Sequence, residues 1–285
     1  MSETDGYFLT TSNIELYWKF NDFGHEKTIF CIHGIAEHLG RHEYLVDLFS
    51  EEFNIFRFDL RGHGRSRGKR VDADNFYDYM EETNEIIPYA LDKFDIKSYR
   101  LFGHSMGALV TSGLMQSFLK NEHYPELIYL SSPPIGVANI AGLIGKRVPP
   151  FALEGIVKSP LNLKINTKND LKYLSHDKKV IEDYINDPYT ETRLNSNLLV
   201  SLLKASREVF SKPLGIKKEV PVYASIGSKD RVVCPKSFKN YMTSVDSSIH
   251  SRIFDGAFHE IHNETDEYKL PYFQYLKSKL GHMPF

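Results

Sequence analysis

The stretch Tyr99-Arg-Leu-Phe-Gly-His-Ser-Met-Gly107, running on into Ala108 to Leu119, decides how the rest of the chain is read. Gly103-His104-Ser105-Met106-Gly107 fits the pattern G-x-S-x-G. With Gly and Ser each near ~7% of residues, chance alone produces such a match in roughly one chain in ten of this length. The context raises its weight. An apolar strand-like run, Tyr99 to Phe102, feeds the pattern, and a helix-like segment, Ala108 to Leu119, leaves it. A sharp strand-to-helix turn needs small residues two before and two after the serine, because neighbouring backbone comes too close for a Cβ. Such a turn holds the Ser105 hydroxyl exposed at a helix N-terminus, where backbone N–H groups point toward negative charge. The plain alternative is a serine in an ordinary turn, and the flanking strand and helix argue against it.

Working outward on the N-terminal side, Tyr7 to Thr11 and Ile14 to Phe20 are rich in β-branched and aromatic residues, with Ser12-Asn13 as a hairpin turn between them. Lys27 to Ile32 is a continuous apolar run, as a strand buried on both faces requires. Asn54 to Asp59 reads as another strand, and helical spacing covers Glu43 to Glu52 and Phe76 to Phe94. Strands alternating with helices predict βαβ units, hence a mainly parallel sheet with right-handed crossovers.

On the C-terminal side the alternation stops after Glu126 to Leu130. Residues 133–219 are punctuated by Pro133, Pro134, Pro149, Pro150, Pro160, Pro188 and Pro213, show helical patterns over Lys178 to Asn186 and Asn197 to Phe210, and offer no convincing strand. Alternation resumes with Val220 to Ile226, a helix near Lys236 to Met242, the strand Ser251 to Phe254 and a helix from Asp266 to Leu280. The predicted architecture is an α/β core, residues 1–132 and 220–285, with a helical cap, residues 133–219, inserted after the sixth strand. The boundary also divides charge: the insert holds 14 basic and 9 acidic residues, although the whole chain has 35 Lys+Arg against 37 Asp+Glu. A basic cap could approach an anionic membrane or a phosphate-bearing substrate. The absence of a tight cluster favours scattered solvated lysines instead.

A serine needs a base and an orienting acid, and in this arrangement they follow it in the order Ser, Asp, His. Ser228-Lys229-Asp230 and Gly256-Ala257-Phe258-His259 each follow a resumed core strand. Catalytic groups in open α/β sheets collect at the carboxyl ends of strands, so Ser105, Asp230 and His259 should share one edge. Asp255 competes as the acid but lies at the strand end, four residues before the histidine. An oxyanion would need two backbone donors: the N–H of Met106 from the turn, and that of Ile35 in the loop His33-Gly34-Ile35 after the strand Thr28 to Ile32.

The 285 residues, with 41% hydrophobic and 25% charged, exclude disorder, and the net charge of −2 gives no electrostatic case for nucleic acid. Cys31 and Cys234 have no metal-like spacing and read as ordinary thiols. His259-Glu260-Ile261-His262 spaces its histidines by three where a helical zinc motif needs four, so no metal is expected. Gly62-His63-Gly64 lacks the remainder of a phosphate loop and reads as a tight loop. The acidic start Met1 to Asp5 does not resemble a secretory leader, and no run of 18 apolar residues is present, so a soluble cytoplasmic protein is expected. Ile135 to Val157 is apolar but broken by glycine and proline; it either flanks an acyl entrance, with peripheral membrane contact through the cap, or simply packs the cap.

Taken together, these residues resemble the α/β-hydrolase superfamily, and within it the monoglyceride lipases and related lysophospholipases. His33-Gly-Ile-Ala-Glu-His-Leu-Gly-Arg41 is similar to the family loop HGxGEHxGRY, Asp59-Leu-Arg-Gly-His-Gly-Arg-Ser66 to D-x-R-G-H-G-x-S, and the GHSMG turn is typical of the group. Leu174 to Asp177 through Asn186-Asp-Pro188 resembles a cap segment of the same group, and Ser228 to Asp230 and His259 to Glu264 resemble its acid and histidine loops. The resemblance implies cap helices over an apolar acyl tunnel, no metal or organic cofactor, and a small-molecule lipid ester as substrate. By motif position it also implies that Glu37, Arg41 and His262 bind a glycerol head group. Two residues depart from the pattern: Ala36 stands at a loop glycine and His42 at the usual aromatic after Arg41. The leading expectation is a serine hydrolase acting on monoacylglycerol or lysophospholipid through an acyl-enzyme. A short-chain carboxylesterase, thioesterase or amidase on the same residues is the alternative, with a non-catalytic ligand-binding protein third.

Overall fold

The computed structural model describes residues 2–118, 123–136 and 164–281. Eight strands form the central sheet: β1 (Ser2–Leu9), β2 (Glu15–Asp22), β3 (Lys27–Ile32), β4 (Asn54–Phe58), β5 (Ser98–His104), β6 (Leu127–Ser131), β9 (Val222–Gly227) and β10 (His250–Phe254). Their spatial order is β1-β2-β4-β3-β5-β6-β9-β10. From β4 to β10 every pairing is parallel, for example Ile29 against Ile55 and Phe30 against Leu101. The hairpin β1–β2 is antiparallel and joins the parallel part through β2 against β4. The mainly parallel sheet expected from the alternation is present.

Period-two alternation along each central strand feeds two cores, one per face. Phe30 and Ile32 of β3 point with Tyr99 and Leu101 of β5 into one of them. That core includes α2 (Tyr77–Lys93), α3 (Met106–Ser117) and α5 (Ser196–Val209). Ile29 and Cys31 point to the other face, against Leu45, Val46 and Phe49 of α1 (Tyr44–Phe49) and Tyr272, Leu276 and Leu280 of α7 (Asp266–Leu280). Each fully buried Leu, Ile or Phe contributes about 1.5–3 kcal/mol by leaving water. The central strands β3, β4, β5, β6 and β9 are therefore covered on both sides, which is why they read as apolar runs, whereas the edge strands β1 and β10 stay largely exposed.

Between β6 and β9 the chain leaves the sheet. The described part of this insert contains α4 (Lys178–Asn186), capped by the Asp177 carboxylate on the Lys179 N–H at 2.9 Å, and α5, which lies against α3. It also contains a two-stranded antiparallel ribbon, β7 (Lys164–Asn166) with β8 (Arg193–Asn195). No strand was expected there. Three residues are too few for a period of two to show, and the partner lies 27 or more residues away. Two helices are also shorter than their spacing predicts. Glu43 to Glu52 yields only α1, preceded by a 3₁₀ turn at Leu39–His42, and Lys236 to Met242 yields α6 (Pro235–Asn240) followed by a π-turn at Tyr241–Val245. Most of the apolar stretch Ile135 to Val157, and Leu119, lie outside the described residues. Among the described residues, no helix is long and apolar enough to cross a membrane.

β4 lies on one side of β3 and β5 on the other, so the loops leaving β3 and β5 diverge and open a crevice between them. The loop after β3 carries Gly34 to Glu37, and the turn after β5 carries Ser105.

Candidate active site

A single residue, Ser105, separates β5 from α3, and it takes φ 49° and ψ −116°. That is a strained backbone for a residue with a Cβ, and the surroundings hold it. The Ser105 N–H donates to the Ser131 carbonyl at 2.8 Å, and its own carbonyl accepts the first α3 bond, from Ala108 at 2.9 Å. The flanking glycines leave no room: a Cβ on Gly103 would lie 2.6 Å from the Gly107 carbonyl oxygen, and one on Gly107 only 2.1 Å from that of Ile32. The spacing requirement inferred from the pattern is thus met by direct backbone contact.

The hydroxyl of Ser105 donates to His259 Nε2 at 2.9 Å, and His259 Nδ1–H donates to Asp230 Oδ2 at 2.7 Å. The other Asp230 oxygen accepts the N–H groups of Val232 and Val233 at 2.8 and 3.0 Å, which aims the carboxylate. All three residues are nearly enclosed, at 6% exposure for Ser105, 3% for His259 and 4% for Asp230. Burial pushes the His259 ring toward neutrality, but the Asp230 charge and hydrogen bond prevail, with Glu260 and Glu37 adding to them. Its affinity for a proton lies above the usual imidazole value. Asp255 is elsewhere: it accepts from the Ser228 hydroxyl at 2.8 Å and helps join the loops after β9 and β10. The same loops are tied where Ser228 N–H meets the Phe254 carbonyl and Lys229 N–H that of Ala257.

Beside Ser105 and His259 lies a cavity of about 80 Å³. It is lined by Gly34, Ile35, Ala36, Glu37, Val232 and Glu260 of the sheet's loops and by Thr167, Leu171, Leu174, Tyr184 and Leu194 of the insert. Ile35 is therefore at the cavity, and Met106 opens α3, where the first backbone N–H groups have no partner within the helix. Ala36 holds φ 61°, the left-handed conformation that explains a glycine at this place in the family loop. The insert grips the Ala36 carbonyl twice, from the Tyr184 hydroxyl at 2.7 Å and the Glu191 N–H at 2.9 Å.

The residues implied for the head group are distributed differently. Glu37 lines the cavity, whereas Arg41 and His262 do not. Arg41 donates to Glu37 at 3.2 Å and to Glu260, and its guanidinium lies over the Tyr184 ring at 4.7 Å. His262 is buried between Tyr44 and His104, at 4.8 Å from each ring, and among the described residues neither nitrogen has a hydrogen-bond partner. Burial holds both His262 and His104 well below the usual imidazole range.

Two features went unread in the sequence. One is a buried group of rings in which His42, His104 and His262 stand 4.8 to 5.6 Å apart, with His259 5.2 Å from His104. The other is a strap from the insert onto the His259 loop. Glu260 N–H donates to the Leu174 carbonyl at 2.8 Å, and Ser175 Oγ donates to the Asn263 carbonyl at 2.8 Å. Glu264 accepts from the His176 ring and from the Phe258 N–H, each at 2.8 Å. The His176 ring also stacks on Phe258 at 3.7 Å. Glu264 stands in the histidine loop quoted for the resemblance, so its residue type was visible; its partner lies 88 residues away. Among the described residues, no group of three or more His, Cys, Asp or Glu side chains is arranged to hold a metal ion.

A mostly parallel sheet with a serine on a strained strand-to-helix turn is the architecture of the α/β hydrolases. The profile of the Hydrolase_4 family, described as Serine aminopeptidase, S33, matches residues 24–266, and the chain belongs to that family. Monoacylglycerol lipase of Mycolicibacterium smegmatis is 25% identical over 254 residues, covering 84% of this chain and 83% of that protein. An uncharacterized abhydrolase domain-containing protein of Dictyostelium discoideum is 24% identical over 248 residues. That match covers 83% of this chain and 24% of the other, so this chain spans about a quarter of that relative's length. A crystal structure of a soluble variant of monoglyceride lipase from Saccharomyces cerevisiae, in complex with a substrate analog, is similar with a TM-score of 0.80 at 19% identity. It covers 98% of this chain and 94% of that one, and at this identity the likeness is one of fold.

Proposed function

We propose that the protein is a serine hydrolase that cleaves a carboxylic ester of a small lipid, monoacylglycerol or lysophospholipid, through an acyl-enzyme. The observation that carries this reading is the hydrogen-bonded line Ser105 Oγ to His259 Nε2 to Asp230. His259 takes the Ser105 proton as the oxygen attacks the ester carbonyl, then gives it to the departing alcohol. Water, activated by the same ring, releases the acid. Asp230 keeps the Nδ1–H tautomer in place and stabilises the imidazolium. The backbone N–H groups of Ile35 and Met106 receive the oxyanion; removal of one such donor typically costs about 10²–10³ in rate.

Residues 1–132 and 220–285 serve as the catalytic core in this reading, and 133–219 as its cap. The lipid class is supported by the apolar faces of Ile35, Ala36, Leu171, Leu174, Leu194 and Val232 beside the serine. It is supported too by the lipase names of the Mycolicibacterium relative and the yeast neighbour. The test is Ser105→Ala against monoacylglycerols and lysophospholipids of graded chain length. The expected loss in kcat is roughly six orders of magnitude. Hydrolysis of monoacylglycerol by Ser105→Ala at the wild-type rate would end the proposal, and a wild-type preference for acetyl or butyryl esters would replace it with a short-chain esterase.

A further inference from the structure

Glu37 is a buried carboxylate, with its side chain 3% exposed, at the edge of the cavity. Three donors from its own loop converge on it. Oε1 accepts the Gly34 N–H and, at 3.1 Å, His42 Nε2–H, while Oε2 accepts Arg41 Nε–H at 3.2 Å. Gly34 is the residue immediately before Ile35, the donor assigned to the oxyanion. Arg41 continues the line to Glu260, the residue immediately after His259. Two carboxylates, Glu37 and Glu260, therefore share the Arg41 guanidinium, and Glu37 also takes the His42 ring N–H, so its oxygens are occupied without help from a substrate. Burial opposes the charge on His42, and the Glu37 carboxylate beside it acts the other way. Burial likewise opposes the charge on Glu37, and His42, His104 and Arg41 hold its carboxyl well below the usual range. A ring without an N–H at position 42 would leave Glu37 Oε1 one donor short. His42, where the resembling family carries an aromatic, supplies that N–H.

We propose that Glu37, seated by His42 and Arg41, is a positioning residue that fixes the Gly34–Ile35 backbone for the oxyanion, and is not a ligand of the substrate head group. The proposal rests on the serine-hydrolase reading for its catalytic consequence. A head-group ligand matters only for substrates that carry the group; a positioning residue matters for every ester.

The experiment compares wild type, Glu37→Ala, Glu37→Gln and His42→Gln on two esters: p-nitrophenyl butyrate, which has no glycerol, and a monoacylglycerol. It adds hydrogen–deuterium exchange over the loop after β3. With Glu37→Ala, kcat should fall about 10²-fold on both esters, with KM moving less than about threefold. Exchange at Gly34 and Ile35 should rise. Glu37→Gln keeps an oxygen that can accept the Gly34 N–H, so it should recover most of the exchange protection and act within about tenfold of wild type on both esters. An unchanged kcat on p-nitrophenyl butyrate, with a higher KM only for monoacylglycerol, overturns the proposal and makes Glu37 a head-group ligand. Should Glu37→Ala fail to fold, His42→Gln decides: equal losses of about tenfold on the two esters support the anchor, and wild-type rates on both refute it. A wild-type protein inactive on both esters would defeat the serine-hydrolase reading, while the exchange comparison would still decide whether Glu37 holds the loop.

Discussion

The turn around Ser105 and the strap at residues 173–177 each fix one end of the Ser105–His259 hydrogen bond. The turn does so with local backbone: Gly103 and Gly107 bring β5 and α3 so close that added Cβ atoms would meet carbonyl oxygens at 2.1 to 2.6 Å. The strap does so with groups from distant parts of the chain. His176 is held by Glu264 and stacked on Phe258, and the Leu174 carbonyl takes the Glu260 N–H. A device made of neighbours in sequence is rigid and leaves a spacing pattern. A device made of remote partners is soft, because each contact is worth about 0.5–1.5 kcal/mol, and it leaves no local pattern.

Next to Ser105→Ala, the largest effect should come from the carboxylate behind His259. Asp230→Asn should lower kcat by about 10⁴, because the amide favours the wrong imidazole tautomer. The pH profile carries a sign. The base must be neutral, and Asp230 raises the proton affinity of His259 above the usual 6.5, so wild-type kcat/KM should fall on the acid side from a pH above that value. In Asp230→Asn burial remains without the carboxylate, so the acid limb should move to lower pH. A limb that stays in place would separate Asp230 from His259.

The rigid side is probed by Gly107→Ala. Its Cβ would stand 2.1 Å from the Ile32 carbonyl oxygen, with backbone on both sides unable to yield. Urea denaturation should show a loss of about 3 kcal/mol or more. A loss below about 1 kcal/mol would mean that the turn is less tightly built than the strand and helix around it imply. The soft side is probed by Glu264→Gln, which weakens the hold on His176 while retaining an acceptor. The expected outcome is about a tenfold fall in kcat with less than about 2 kcal/mol lost in unfolding. Unchanged kcat would show that the His259 loop keeps its place without the strap.

The strands of the core were legible because burial on both faces makes them continuous apolar runs: Lys27 to Ile32 and Asn54 to Phe58 begin where the sequence places them. The ribbon β7–β8 was not, since three-residue strands have no readable period. Asp230 was separable from Asp255 by position in the loop after β9, and in the structure it is Asp230 that meets His259 while Asp255 meets Ser228. Glu37 and Arg41 were visible only as residue types. That they pair with each other, with His42 and with Glu260 depends on the loops after β3 and β10 meeting, across 219 residues for Arg41 and Glu260.

By itself the sequence determined the alternating core, the interruption after the sixth strand and the strained serine turn, because each follows from contacts between near neighbours or from burial of a whole strand. Tertiary structure alone decided where the insert grips the loops, and that Glu37, Arg41, His42 and Glu260 are joined by hydrogen bonds. Those depend on side chains distant in sequence meeting in a buried place, where an unpaired charge is too costly to leave and a partner has to come from wherever the fold brings one.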